Sequence, residues 1–304
     1  MQTIPGWNVR FLQTTAGTLD GGARDLYLDG IQVLCEDFRN VTTNCFGSAP
    51  ADSFTIGVAR SMKGDGRLDA AAWSDGVCAF DSRRELNSIV PPMQLLSVVV
   101  SRRLLCSYIQ QTEQVDLEHW LSHGAAIVNS APLAARAAHL LLDLLDTCFH
   151  PSVDLDAPAP RRAVRHGVLE MLGPLLVEHL GVHHAPRRET GHLWIVSRAR
   201  DYARQRIADP LQVIDLCRAV GVSRRTLQTS FQQVLGVSPL VYLRTMRLNG
   251  ARRMLLQGDP AMKVKDAIET WGFWHLSRFS QEYRRLFGEL PSLSLRRAQA
   301  TARG

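Results

Sequence analysis

The chain has 304 residues, 45% of them hydrophobic and 21% charged, which suits two globular domains. Its formal charge of +6 is unevenly placed: residues 187–304 carry 21 Lys and Arg against 9 Asp and Glu (+12), and residues 1–186 carry 14 against 20 (−6). A basic segment joined to an acidic one fits a chain in which one part meets phosphate and the other does not.

The six cysteines form no CxxC pair and no Cys/His cluster, which argues against a disulfide framework or a zinc site. The N-terminus lacks a signal-peptide pattern, and no apolar run reaches the roughly 18 residues of a membrane span. We therefore expect a cytoplasmic protein with no membrane partner.

From Val9 to Val100 short β-type runs alternate with turn residues, among them RDLYLDGIQVLCEDF, FTIGVARS, RLDAAAWSDGVCAF and MQLLSVVVS, as in a sandwich or small barrel. Trp7, Phe54, Trp73, Cys78 and Phe80 are candidates to line an apolar pocket there, or else core. Residues 1–118 contain no histidine, so a metal-dependent enzyme on this part is not expected, and no catalytic residue, cofactor or metal is assigned. A helical hairpin follows over about 131–180. One stripe runs from Leu133 through Ala137, Leu140, Leu141 and Leu144 to Leu145, and the other from Val164 through Val168 and Leu172 to Leu176. These stripes either cover the β part or also form a dimer face, with Leu141 and Leu176 expected to point outward. The polar stretch GVHHAPRRETG marks the boundary, and His183 and His184 in it read as solvated.

The remaining segment carries one pattern twice. Leu227, Phe231, Gly236 and Pro239 recur 52 residues later as Phe279, Tyr283, Gly288 and Pro291, and Gly221 is answered by Gly272 at an offset of 51. Each copy reads as a helix, a glycine turn, a second helix and Gly-x-x-Pro, the layout of a helix-turn-helix. The first spans about 211–234, with Ser223 as N-cap of its second helix. The second spans about 264–287, and a connecting helix over about 239–257 is roughly 28 Å long. Packing the apolar positions inward leaves Arg224, Arg225, Gln228, Thr229 and Gln232 outside in one copy, and Ser277, Arg278, Gln281, Arg284 and Arg285 in the other. For a single copy, a helical hairpin with a solvated arginine face would look similar.

The stretch PLQVIDLCRAVGVSRRTLQTSFQQVLGVSPLVYLRTMRLNGARRML, followed by VKDAIETWGFWHLSRFSQEYRRLFGELPS, resembles the DNA-binding domain of the AraC/XylS family of transcription regulators. Within it, VSRRTLQTSFQQVLGVSPLVYLR is similar to the subgroup containing the ethanolamine-utilisation regulator. Two departures stand out: Ala267 and Ile268 reverse the family's usual Ile-Ala order, and Arg296 stands one place late. The resemblance implies an α+β chain. A cupin-like sensor and dimerisation domain with the helical hairpin would occupy residues 1–182, a linker 183–191, and an all-α domain with two helix-turn-helix motifs 192–304.

The resemblance further implies base reading by Arg225, Gln228, Thr229, Leu276, Ser277, Arg278 and Gln281. Arg224, Arg244, Arg247, Arg284 and Arg285 would hold phosphates. The expected partners are double-stranded DNA, a second copy of the chain through the N-terminal domain, a small-molecule effector and, for an activator, RNA polymerase. The alternative is a DNA-binding regulator whose N-terminal domain serves only dimerisation or a protein partner.

Overall fold

The computed structural model describes residues 6–114, 116–117, 125–151, 153–179, 191–206, 211–273 and 275–302. Positions 183–190 of the expected linker, with His183 and His184, lie outside them. The chain forms two compact units. One comprises Met1–Arg10, Gly21–Arg39 and Cys45–Glu189, and the other Phe11–Asp20, Asn40–Asn44 and Thr190–Gly304.

The strands are β1 (Asn8–Gln13), β2 (Asp20–Leu28), β3 (Ile31–Arg39), β4 (Thr43–Ser48), β5 (Ser53–Arg60), β6 (Gly66–Leu68), β7 (Ala71–Trp73), β8 (Gly76–Asp81), β9 (Leu86–Val90), β10 (Met93–Ser101) and β11 (Ala126–Val128). They make a five-stranded sheet in the order β1-β4-β9-β6-β7 and a six-stranded sheet in the order β11-β8-β5-β10-β3-β2. The N-terminal part is thus β-rich and two-sheeted, as expected, and the C-terminal part is helical.

In the six-stranded sheet β10 pairs antiparallel with both β3 and β5, and β5 with β8. Side chains of directly paired residues share a face, so the register sorts the sheet into two surfaces. Val33, Val98 and Ile56 stand in one row on the first surface. Together with Cys35, Phe54, Val58, Val77, Ala79, Leu96 and Val100 they pack against three helices, α1 (Arg102–Thr112), α2 (Ala131–Cys148) and α3 (Pro158–Pro174). Gln32, Val99, Thr55 and Phe80 form a row on the opposite, inner surface, and the next row is Leu34, Ser97, Gly57 and Cys78.

Helix α1 was not expected from the sequence, yet it ties the start of β5 to the end of β8. Its Arg102 donates to Asp81 at 2.5 Å and to Asp52 at 3.1 Å, and its guanidinium lies 4.3 Å from the Phe54 ring centroid. Of the hairpin helices, α2 packs on β5 and β8 and α3 packs on α1. Leu141 and Leu176, expected to face outward, are both 0% exposed and belong to the core. The outward apolar side chains of this region are Leu140, 54% exposed, and Phe149, 52% exposed. Among the described residues no helix is long and apolar enough to cross a membrane, and no cluster of three His, Cys, Asp or Glu side chains is placed to hold a metal.

Glu36 stands on the inner surface beside Leu95, and burial pushes its carboxyl up from the ordinary 4.5 to about 7. Between those two values the folded chain holds a proton that the unfolded chain releases, so this group's contribution to stability falls as pH rises through that window. Glu36→Gln should therefore gain stability relative to the unmodified protein as pH goes from about 5 to about 8. Urea denaturation at both pH values checks this, and an unchanged difference would contradict it.

Candidate nucleic-acid interface

The C-terminal unit consists of α4 (Gly191–Gln205), α5 (Val213–Val220), α6 (Arg224–Leu235), α7 (Pro239–Leu255), α8 (Val264–Thr270), α9 (Leu276–Phe287) and α10 (Pro291–Thr301). In the first motif, α5 starts where the Gln212 N–H donates to the Asp215 carboxylate at 2.8 Å. It ends at Gly221, whose φ of 75° is a left-handed conformation that suits a residue without Cβ. One residue on, the Val222 N–H returns to the Cys217 carbonyl at 3.1 Å. The Ser223 hydroxyl then accepts the Thr226 N–H at 3.1 Å and caps α6, as its sequence position suggests.

Burial of Leu227, Phe231, Val234 and Leu235 orients α6 and leaves Arg224, Arg225, Gln228 and Thr229 exposed. Helix α4 packs on α5 and α6, and its His192 Nδ1 lies 2.9 Å from Ser230 Oγ, which in turn donates to the Thr226 carbonyl.

The second motif repeats this construction with different side chains. The Lys263 N–H donates to Asp266 at 2.8 Å, Gly272 has a φ of 66°, and the Phe273 N–H returns to the Ile268 carbonyl at 3.0 Å. Ile268 thus occupies the place of Cys217 with the same turn bond, and both residues are buried. Phe279, Tyr283 and Phe287 of α9 join Ala267, Ile268 and Trp271 against Leu248, Ala251 and Leu255 of α7. The approach of α7 is close: a Cβ on Gly250 would lie 2.1 Å from the Trp271 ring.

On the outer side of α9, Leu276, Ser277, Arg278, Gln281, Arg284 and Arg285 are exposed, Leu276 by 59%. Two of the arginines converge on one carboxylate that sequence reasoning did not single out. Arg278 Nε donates to Glu282 Oε1 at 2.9 Å, and Arg244 of α7 grips both Glu282 oxygens, with Nε to Oε2 at 2.5 Å. Burial first, and then the charges of Arg278 and Arg285, hold the Arg244 guanidinium below its ordinary pKa. Such crowding of positive charge is relieved by an anion. Arg247 is directed elsewhere: it is half-buried and donates to the Leu211 carbonyl at 3.0 Å, at the approach to α5.

A second carboxylate, Glu289, ties α7 to the end of α9 and to α10. It accepts from Arg252 at 3.0 Å and from Ser294 Oγ at 2.6 Å, and Ser294 accepts the Tyr283 hydroxyl. The one local hint of the Glu282 site in the sequence is its i,i+4 spacing from Arg278.

The unit also takes in residues 11–20. The Gln13 N–H donates to Asn249 Oδ1 at 3.1 Å, and Asn249 Nδ2 donates back to the Gln13 carbonyl at 3.2 Å. Gln13 Nε2 reaches the Leu286 carbonyl in the last turn of α9 at 2.6 Å.

Residues 216–297 match the family profile described as a helix-turn-helix domain. Over 103 residues, 34% of this chain, the sequence is 44% identical to the probable thc operon regulatory protein of Rhodococcus erythropolis, and the match covers 31% of that protein. Another 79-residue match, 25% of the chain, is 40% identical to XylDLEGF operon transcriptional activator 1 of Pseudomonas putida and covers 23% of it. Among solved structures, a probable AraC family transcriptional regulator from Rhodopseudomonas palustris is 32% identical with a TM-score of 0.32, covering 34% of this chain and 96% of that one. The chain thus spans about a third or less of the length of these two curated relatives. The paired motifs of the C-terminal unit constitute a helix-turn-helix domain of the AraC/XylS family.

Proposed function

We propose that this chain is a sequence-specific DNA-binding transcription regulator that reads DNA with α6 and α9. The reading rests on one observation: both motifs bury the same positions and expose polar side chains suited to base edges. Arg225 suits guanine O6 and N7, Gln228 and Gln281 suit adenine N6 and N7, and Leu276 suits a thymine methyl group. Thr229, Ser277 and Arg278 complete the two reading faces. Arg224, Arg284 and Arg285 hold phosphates, Arg244 does so when released from Glu282, and Arg247 supports the first motif through Leu211. At 17 residues α7 is roughly 25 Å long, against about 34 Å for a turn of DNA, which suits two reading helices on successive stretches of one groove.

The N-terminal unit, in this reading, binds a small-molecule effector on the inner surface of its six-stranded sheet. Cys78 and Phe80 stand on that surface, and the Trp7 indole donates to Gln32 of the same surface at 3.1 Å. Trp73, in the second sheet, is 4% exposed with an unpartnered indole N–H. Phe54 stands on the opposite surface and supports the helical core. The second reading, an N-terminal unit that serves dimerisation, is favoured by the exposed Leu140 and Phe149, and the two readings are compatible.

If six or more phosphates are contacted, affinity of the full chain for operator DNA should fall about a thousandfold between roughly 50 and 200 mM salt. Arg225→Ala and Gln228→Ala should each cost about 1–3 kcal/mol and relax base preference at one position, while Arg284→Ala weakens all sequences alike. Fluorescence anisotropy on operator and random duplexes checks this, and a common loss on both duplexes for all three variants refutes the base assignments. Glu282→Gln frees Arg244 and Arg278, so it should tighten binding to random DNA and steepen the salt slope by about 1 to 2. An unchanged slope would show that the two arginines stay away from phosphate. For assembly, Leu140→Glu should convert a dimer to a folded monomer in sedimentation, and a monomeric unmodified protein at micromolar concentration removes the dimer reading.

A further inference from the structure

The inner surface of the six-stranded sheet holds polar groups that the protein itself does not satisfy. Gln32 and Thr55 flank Val99 in one row, and their backbones lie roughly 10 Å apart across two strand spacings, a gap that the long Gln32 side chain can narrow. They are 2% and 1% exposed, yet Gln32 Nε2 and Thr55 Oγ1 have no hydrogen-bond partner. The Gln32 amide is oriented by chemistry: its Oε1 accepts the Trp7 indole N–H, so its NH2 is the end left free. A buried donor without a partner is costly to keep, and such a group points to a ligand or an ordered water. Ser97, Gly57 and Ala59 are small and stand in the neighbouring rows.

The charge of this surface narrows the ligand. On β3, β5, β8 and β10 the inner positions include no Lys, Arg or His, so nothing there matches a carboxylate or a phosphate. The Cys78 thiol is pushed up to about 12 by burial and stays neutral. The one carboxyl is that of Glu36, two rows from Gln32 along β3.

Building on the effector-responsive reading, we propose that the effector is a neutral small molecule whose oxygen accepts hydrogen bonds from Gln32 and Thr55, as a carboxamide, ketone or alcohol does, and that Glu36 turns away the matching carboxylates. Val99 and Phe80 of the same row, with Leu34 and Leu95, supply the apolar contact for its carbon skeleton. Selection works through the cost of leaving an anion without a counter-charge in a dry site, which exceeds what a skeleton of equal shape gains by burial.

The test uses full-length protein and matched probes, hexanamide against hexanoate and benzamide against benzoate, followed by ligand-observed NMR at pH about 8. The expected result is binding of the amides, with the carboxylates weaker by about tenfold or more. Thr55→Val keeps the side-chain shape and Gln32→Met nearly keeps it. Each should weaken amide binding by about threefold or more. Glu36→Gln should narrow the gap between the amides and the carboxylates. Carboxylates binding as tightly as amides to the unmodified protein, amide binding indifferent to both Thr55→Val and Gln32→Met, or no binding by any probe would each overturn the proposal. A separate titration of operator DNA with and without the bound amide addresses the effector reading. Amide binding that leaves operator affinity unchanged would sink that reading while the ligand assignment stands.

Discussion

The DNA-facing geometry depends on the burial of one helix from two sides. Along α7 the buried residues include Tyr242, Leu243, Met246, Leu248, Ala251 and Leu255, positions spread around the helix rather than gathered in one stripe. Tyr242 meets Phe231 of the first motif edge-on, with ring centroids 5.4 Å apart, while Leu248, Ala251 and Leu255 belong to the core of the second. A helix enclosed this way is stiff, because rotating it disturbs both cores at once. The distance between the two reading faces is then a property of close packing. Gly250 carries the same constraint further, since the Trp271 ring fills the space in which any side chain would stand.

Around that beam, acidic residues organise the basic ones. Glu282 accepts from Arg244 and Arg278, and Glu289 pairs with Arg252 and Arg297. The two sites differ in surroundings. Glu289 sits with the buried hydroxyls of Tyr283 and Ser294, so its bonds are part of the fold. Exposed pairs such as Arg278 with Glu282 are individually worth about 0–1 kcal/mol, so their partners can be exchanged for phosphate at little cost. The outer carboxylate therefore competes with phosphate for the same two arginines, Arg244 and Arg278.

Much of the C-terminal unit was legible because its signals are local. Glycine at the turns, Ser223 at a helix start and apolar residues at helical spacing each act within a few residues, and the structure places them as read. What stayed hidden depends on partners distant in the chain. Glu282 looks like any exposed helix acid until α7 is placed beside it, and nothing local to Arg247 points to its bond with the Leu211 carbonyl. In the β unit the run SFTIGVAR is apolar on both faces, so alternation could not assign Phe54 to one side and Thr55 to the other. The inward position of Leu141 follows from the packing of its helix on β5 and β8, strands distant in the chain, and α1 stayed hidden because its polar sequence RRLLCSYIQQT carries only a narrow apolar stripe. Gln32 and Thr55 drew no notice for a related reason: a polar residue in a strand normally marks the solvated side.

The reciprocal bonds between Gln13 and Asn249 bear on where the C-terminal unit begins. By charge and composition it starts after the polar boundary near residue 187, yet the Asn249 amide and the Leu286 carbonyl find partners in residues from the opening of the chain. A fragment cut at that boundary leaves a buried amide and a helix-end carbonyl facing water or each other, next to the very turn that ends α9. The C-terminal unit is thus discontinuous in sequence, and a gene segment that encodes both motifs in full leaves out the partners that Asn249 and Leu286 have in residues 11–20.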